Sequence, residues 1–285
     1  MRFGIHVPKQ RDLTATAAYA AAIGCDTCQI FSGNPVGWTI GRLDPQDRDG
    51  FVSVTRNRGI SPVFVHAPYL INVATPSERL AALSRRALTD AIVRAHDLRC
   101  RYAVVHAGNH MGEGPDAGIP RAIEAMDHVL ADSPDDVILL IEGGAGKGTE
   151  IGTSVAELAR LVAPFPEDRV GVLLDTAHVW ALGYDLRTPG GTALLLSDLD
   201  AGPGVRRLLG IHANDSLAER GSRRDRHALW TEGNMGRRGI LNLIGTPELA
   251  HLPLIFEVPG DTAAFDRKRL ALMRRRDHRA RRRET

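Results

Sequence analysis

The chain has 285 residues, 43% of them hydrophobic, with 36 Lys and Arg against 34 Asp and Glu. Such a chain buries a core that needs no disulfides, which excludes a disordered polypeptide, a fibrous repeat and a small stapled scaffold. Three cysteines suit a reducing compartment, no apolar run approaches a bilayer span, and the opening residues enter strand-like sequence without a leader, so a cytoplasmic protein with no membrane partner is expected.

Along the chain, short apolar β-branched runs recur, each followed by a polar or glycine-rich stretch and then a helical pattern. Strands are expected at residues 2–7, 27–31, 62–66, 102–106, 137–142, 170–175, 208–212 and 253–257, with helical spacing between them at 13–23, 78–98, 119–130 and 155–162, among others. Eight strands alternating with helices, roughly one strand per 36 residues, predict an α/β protein of one domain: a parallel (β/α)8 TIM barrel over residues 1–266. Residues 267–285 carry ten of the 36 bases and two of the 34 acids, which leaves 26 against 32, a formal charge of −6, in residues 1–266. This basic segment is expected as a partly disordered C-terminal helix or tail, either solvated or contacting phosphate.

The polar residues within the strands carry the chemistry. Six consecutive strands, the third to the eighth, end in His66, His106, Glu142, Asp175, His212 and Glu257. In a barrel of this kind every strand's carboxyl end opens on the same face, so these six side chains converge on one mouth. Three carboxylates crowded there repel one another unless cations sit among them, and imidazole mixed with carboxylate suits zinc, manganese or iron. His178 lies just past the sixth strand. Asp225 and His227 form an Asp-x-His pair in the loop after the seventh, and an extended backbone aims both side chains the same way. These nine residues suffice for three ions if one carboxylate bridges.

Other patterns weigh less. The loop from Gly143 to Gly148 resembles a phosphate cradle, but Gly148 rather than Ser or Thr follows Lys147 and the glycine spacing is wrong, so no nucleotide cofactor is expected. Cys25 and Cys28 have the spacing of half a zinc site without a second pair and are read as packing residues. His6, His96, His128, His251 and His278 are read as structural or surface residues, while His110 falls close to the expected mouth.

Three stretches are similar to the endonuclease IV family, the family 2 apurinic/apyrimidinic endonucleases. They are His66-Ala67-Pro68-Tyr69-Leu70-Ile71-Asn72, Leu173 to His178 continuing through Gly183-Tyr184-Asp185, and His212-Ala213-Asn214-Asp215-Ser216 continuing through Gly221 to His227. The resemblance runs in order over nearly the whole chain. It implies a barrel that holds three zinc ions and hydrolyses double-stranded DNA on the 5′ side of abasic sites, leaving a 3′ hydroxyl and trimming 3′ ends as a further activity, in a protein that is usually a monomer. By the same resemblance His66, His106 and Glu142 hold one zinc; Glu142 bridges to a second with Asp175, His212 and Glu257; His178, Asp225 and His227 hold the third. Glu257 and Glu142 are the expected catalytic carboxylates, the first orienting or deprotonating the attacking water and the second fixing the spacing of the ions.

Tyr69 and Leu70 resemble the family's wedge into the duplex, with Asn34, Trp38 and Lys147 as further DNA contacts. Val36 and Gly33 stand where family members often carry arginine and lysine, Lys147 replaces a usual glutamine and Thr231 a usual glycine. The basic tail or Lys147 is expected to compensate in part for the lost loop charges. Two rival functions remain: a metal-dependent sugar isomerase or epimerase of the xylose-isomerase-like barrels, and a non-catalytic binder of DNA lesions.

Overall fold

Strands buried on both faces read as nearly continuous apolar runs, and that is how the eight runs are used. In the computed structural model, which describes residues 1–257 and 263–281, they form β1 (Arg2–His6), β2 (Thr27–Phe31), β3 (Val63–His66), β4 (Tyr102–His106), β5 (Ile138–Glu142), β6 (Val170–Asp175), β7 (Leu208–His212) and β10 (Pro253–Phe256). All neighbours pair in parallel, and β1 joins β10 to close the barrel. The remaining two strands, β8 (Asp215–Ser216) and β9 (His227–Ala228), make a small antiparallel ribbon in the loop after β7.

The helices are α1 (Leu13–Ile23), α2 (Pro45–Asn57), α3 (Glu78–Asp97), α4 (Pro115–Ala131), α5 (Val155–Val162), α6 (Thr176–Ala181), α7 (Pro189–Ala201), α8 (Gly236–Ile244) and α9 (Ala263–Arg281). Side-chain oxygens of Asp12, Asp44, Ser77, Ser154, Asp175 and Thr188 accept from the first free backbone N–H groups of six of them. Helix α4 starts at Pro115, before the expected residue 119, because proline fits the first turn, where its missing N–H has no bond to lose.

Two apolar layers hold the fold. The larger lies between the strands and the helices. The smaller fills the barrel itself and consists of Phe64, Val104, Ile138, Leu140, Leu173 and Ile255, with Tyr102 and Leu209 against it. Gly210 belongs to this inner layer by what it lacks: a Cβ there meets the Phe64 ring at 3.0 Å. Because side chains alternate along a strand, the residue two positions beyond each plug residue points inward one layer higher. Phe64, Val104, Leu140, Leu173, Gly210 and Ile255 are followed at that step by His66, His106, Glu142, Asp175, His212 and Glu257.

The basic C-terminal segment is not a free arm. In α9, Leu270 and Met273 are fully buried, and the Arg274 guanidinium pairs with Asp26 at 3.0 Å. Asp277 accepts the Met1 ammonium at 3.3 Å, so this end of α9 lies beside the start of β1, at the pole opposite the strand carboxyl ends. The apolar pair at positions i and i+3 gives the helix a core-facing side that its arginines conceal in the sequence. Residues 282–285 of the expected tail lie outside the described residues. Among the described residues, no helix is long and apolar enough to cross a membrane.

Candidate metal centre

The layer above the apolar plug is almost wholly ionisable. Strand register sets His106 beside Glu142 across β4 and β5, and Asp175 beside His212 across β6 and β7. His66, His178 and His212 each have one nitrogen hydrogen-bonded by the scaffold and the other facing carboxylate. His66 donates from Nδ1 to the Ala67 carbonyl at 2.6 Å, leaving Nε2 at 3.3 Å from Glu142 Oε2. The same carboxylate oxygen lies 3.8 Å from His106 Nε2. His212 Nδ1 stands 3.0 Å from Glu142 Oε1 and 3.3 Å from Glu257 Oε2.

The third cluster is built from a helix start and a ribbon. Asp175 caps α6 by accepting from Ala177 N at 2.6 Å. This fixes His178 in the first turn, where its Nδ1 donates to the Gly143 carbonyl at 2.8 Å and its Nε2 faces Asp225 Oδ2 at 3.6 Å. The β8–β9 ribbon delivers the loop partners: His227 Nε2 lies 3.1 Å from Asp225 Oδ1 and 3.2 Å from Asp175 Oδ2. Asp215 holds that loop, its buried carboxylate accepting from the backbone N–H groups of Ser216, Gly233, Met235 and Gly236 at 2.8–3.1 Å.

Among the described residues, donor atoms gather into three sets, each within 4.8 Å of one another: His66, His106 and Glu142; Glu142, Asp175, His212 and Glu257; Asp175, His178 and His227. Glu142 joins the first set to the second, and Asp175 joins the second to the third. Asp225 flanks the third through its two imidazole neighbours. The chemistry of this donor set fits zinc, which takes imidazole nitrogen and carboxylate oxygen at about 2.0–2.2 Å. A sharper test is His227 Nε2, which is buried and makes no hydrogen bond despite two carboxylate oxygens within 3.2 Å. A nitrogen so placed between two carboxylates fits a cation held among the three side chains.

The electrostatics say the same. Burial opposes charge on His178, His212 and His227, yet the carboxylates outweigh it and raise their pKa values to about 10, about 9 and about 12. Burial likewise opposes charge on Glu142, Glu257 and Asp225, yet neighbouring imidazoles hold all three below the ordinary carboxylate range. His106 is instead shifted down, by desolvation, in spite of Glu142. The cluster therefore favours positive charge, which protons or metal ions at the same nitrogens can supply.

All nine residues singled out as ligands converge here. Tyr69 follows β3 at the mouth, 54% exposed, its ring 5.4 Å from that of His66, with Leu70 exposed beside it. Asn34 and Lys147 are exposed on the loops after β2 and β5, and the Asn34 side chain accepts from Val36 N. Trp38 differs, being half-buried and packed against the core. His110 is taken up locally, its Nδ1 accepting from Gly112 N and Gly114 N. Three polar residues that the motifs did not single out for a role also belong to the centre: Gln29, Asn214 and Asp215. The Asn214 amide donates to Asp175 Oδ2 at 2.6 Å and to Glu257 Oε2 at 3.0 Å. A glutamine in the apolar run Thr27-Cys28-Gln29-Ile30-Phe31 is itself a trace of such a partner, since a buried amide must be bonded.

The chain matches, over residues 17–277, the family described as xylose isomerase-like TIM barrel, and it belongs to that class. Within it, the chain is 37% identical over 276 residues to "Probable endonuclease 4" of Chloroflexus aurantiacus, covering 96% of this chain and 97% of that protein. It is 38% identical to the protein of the same name from Chloroflexus aggregans, covering 96% of each. The crystal structure of endonuclease IV from Thermus thermophilus superposes with a TM-score of 0.85 at 30% identity, over 96% of this chain and 99% of that one. The chain is a member of the endonuclease IV family. A D-tagatose 3-epimerase-like protein, with a TM-score of 0.72 at 17% identity over 98% of this chain and 99% of that one, shares the fold alone.

Proposed function

We propose that this endonuclease-family hydrolase is a zinc-dependent DNA-repair enzyme that cuts double-stranded DNA on the 5′ side of abasic sites, leaves a 3′ hydroxyl and also trims 3′ ends. The observation that carries this reading is the continuity of the three donor sets through Glu142 and Asp175. A sugar isomerase or epimerase of the same barrel class works with one or two divalent ions and has no use for the His178, Asp225 and His227 cluster. A non-catalytic lesion binder has no use for so complete a polar mouth.

In this reading His66, His106 and Glu142 hold one zinc, Glu142, Asp175, His212 and Glu257 a second, and His178, Asp225 and His227 a third with Asp175 beside them. When bound, zinc supplies a nucleophile available near neutral pH and neutralises charge on the phosphoryl oxygens. Glu257, held by Asn214 and free of the scaffold's carbonyls, orients the attacking water and takes its proton. Glu142 fixes the spacing of the first two sets by giving one oxygen to each side. Cations at the mouth also reconcile a formal −6 over residues 1–266 with a polyanionic substrate.

Tyr69 and Leu70, exposed at the rim, insert beside the lesion and hold the extruded nucleotide. Asn34 and Lys147 line the approach, and Trp38 braces the loop that carries Asn34. The protein acts in the cytoplasm as a monomer, its barrel and the packed helix α9 forming one catalytic unit. The test is a duplex with one tetrahydrofuran abasic analogue, which cannot undergo β-elimination. Incision to a 3′ hydroxyl, abolished by a chelator and restored by zinc, is expected; no incision, or incision insensitive to metal removal, overturns the reading.

A further inference from the structure

Gln29 sits on β2 with its side chain fully buried inside the barrel, between β1 and β3. Its amide spends its whole donor capacity on two groups. Nε2 donates to Glu257 Oε1 at 2.8 Å and lies 2.9 Å from His6 Nδ1, while Oε1 lies 2.8 Å from His212 Nε2. The orientation of the amide follows from its partners. Exchanging its nitrogen and oxygen sets two oxygens 2.8 Å apart at Glu257, lone pair against lone pair, so the NH2 faces the carboxylate.

With the amide carbonyl turned toward it, His212 Nε2 has to carry a hydrogen. The neutral ring then has its lone pair on Nδ1, the atom that faces Glu142 Oε1 at 3.0 Å and Glu257 Oε2 at 3.3 Å. The other tautomer leaves the carbonyl of Gln29 facing a lone pair and puts a hydrogen where a cation belongs. His6 braces the amide from the far side, its ring tilted over Phe31 at 4.2 Å.

We propose that Gln29 is a positioning residue of the zinc centre: it selects the Nδ1-ligating tautomer of His212 and at the same time fixes the carboxylate of Glu257, coupling two ligands of the second set through one amide. This inference rests on the zinc reading above. Its reach is selective, because both ligands that Gln29 bonds, His212 and Glu257, belong to the second set alone. Partners that orient a metal ligand contribute roughly 10- to 100-fold in metal affinity in general, and that is the effect expected here.

The test compares the wild-type protein with Gln29→Met, which keeps the volume and removes every hydrogen bond, using zinc retention against a graded chromophoric chelator. The expected result is that one zinc of three is released at about 10- to 100-fold lower chelator strength while two are retained as in the wild type. A wild-type release curve in Gln29→Met overturns the proposal, since packing alone then suffices. A second measurement needs no variant. In the zinc-loaded wild type labelled with 15N-histidine, long-range 1H–15N correlations should show His212 protonated at Nε2 and metal-bound at Nδ1; a hydrogen on Nδ1 overturns the proposal. A wild-type protein that takes up no zinc instead overturns the metal reading itself, and the proposal with it.

Discussion

His227 Nε2 lies 3.2 Å from Asp175 Oδ2 without a hydrogen bond between them, although 52 positions separate the two residues in the chain. In the metal-free protein this contact is an ion pair, and its strength depends on pH. His178, His212 and His227 have pKa values raised above the ordinary 6.5 to about 10, about 9 and about 12. The stability they contribute is complete below about pH 6.5 and is lost as pH rises toward those values. Glu142, Glu257 and Asp225 are held low, so their contribution is complete above the ordinary carboxylate range of 3.8–4.5 and is lost as pH falls below it. Chelated protein should therefore melt highest between about pH 5 and 6.5 and progressively lower toward pH 9. Scanning calorimetry at about pH 5.5, 7.5 and 9 checks this, and a melting temperature that climbs across that series contradicts it.

Thr231 has φ of +82°, in the left-handed region that a β-branched side chain occupies only with strain. It is exposed and lies in the turn before Gly233. Thr231→Gly should raise stability by about 0.5–1 kcal/mol, the relief of strain being offset in part by glycine's greater freedom when unfolded. Denaturant melts decide it: a lower midpoint for the glycine variant shows that the turn is not strained.

Tyr69 is half exposed at the mouth, so its loss should cost little in the free protein. Tyr69→Ala is expected to change stability by less than about 0.5–1 kcal/mol. Affinity for a tetrahydrofuran duplex should fall by the roughly 1–3 kcal/mol that an aromatic stacking contact provides, with little change for undamaged DNA. Fluorescence anisotropy on both duplexes separates the two; an equal loss on both denies the residue a role in reading the lesion.

Helix α9 combines a buried side with an exposed basic one. Leu270→Ala should destabilise the protein by about 2–5 kcal/mol, as for other fully buried leucines. Arg275 and Arg279 are exposed near the pole away from the mouth. Replacing both with alanine should leave the salt dependence of DNA binding unchanged, whereas each phosphate contact removed lowers the log–log slope by about 0.9. A shallower slope assigns this end of the helix to the DNA.

The sequence is most legible where one residue in an apolar run breaks the pattern at the same point of each strand. The step from Leu173 to Asp175, or from Ile255 to Glu257, places a charge one layer above a plug residue, and alternation along the strand makes that arithmetic local. What joins the sets is not local. Gln29 reaches His212 only because β1 and β2 sit next to β10 and β7 around a closed ring, a relation that no window of sequence contains. Asp215 was hidden differently: one carboxylate among several in a polar loop, its role visible only when Gly233 and Gly236 fold back onto it. In α9 the arginines outnumber Leu270 and Met273 so heavily that composition pointed to solvent where packing decides.

Closure of the ring also governs when the enzyme comes into being. Arg2 to Ile5 pair with Pro253 to Phe256, so β1 waits for β10, the barrel strand farthest from it in the sequence, before it gains its second neighbour. A chain that lacks β10 carries His66 and His106 without Glu257, so the donor sets at the mouth are complete only once the ring has closed.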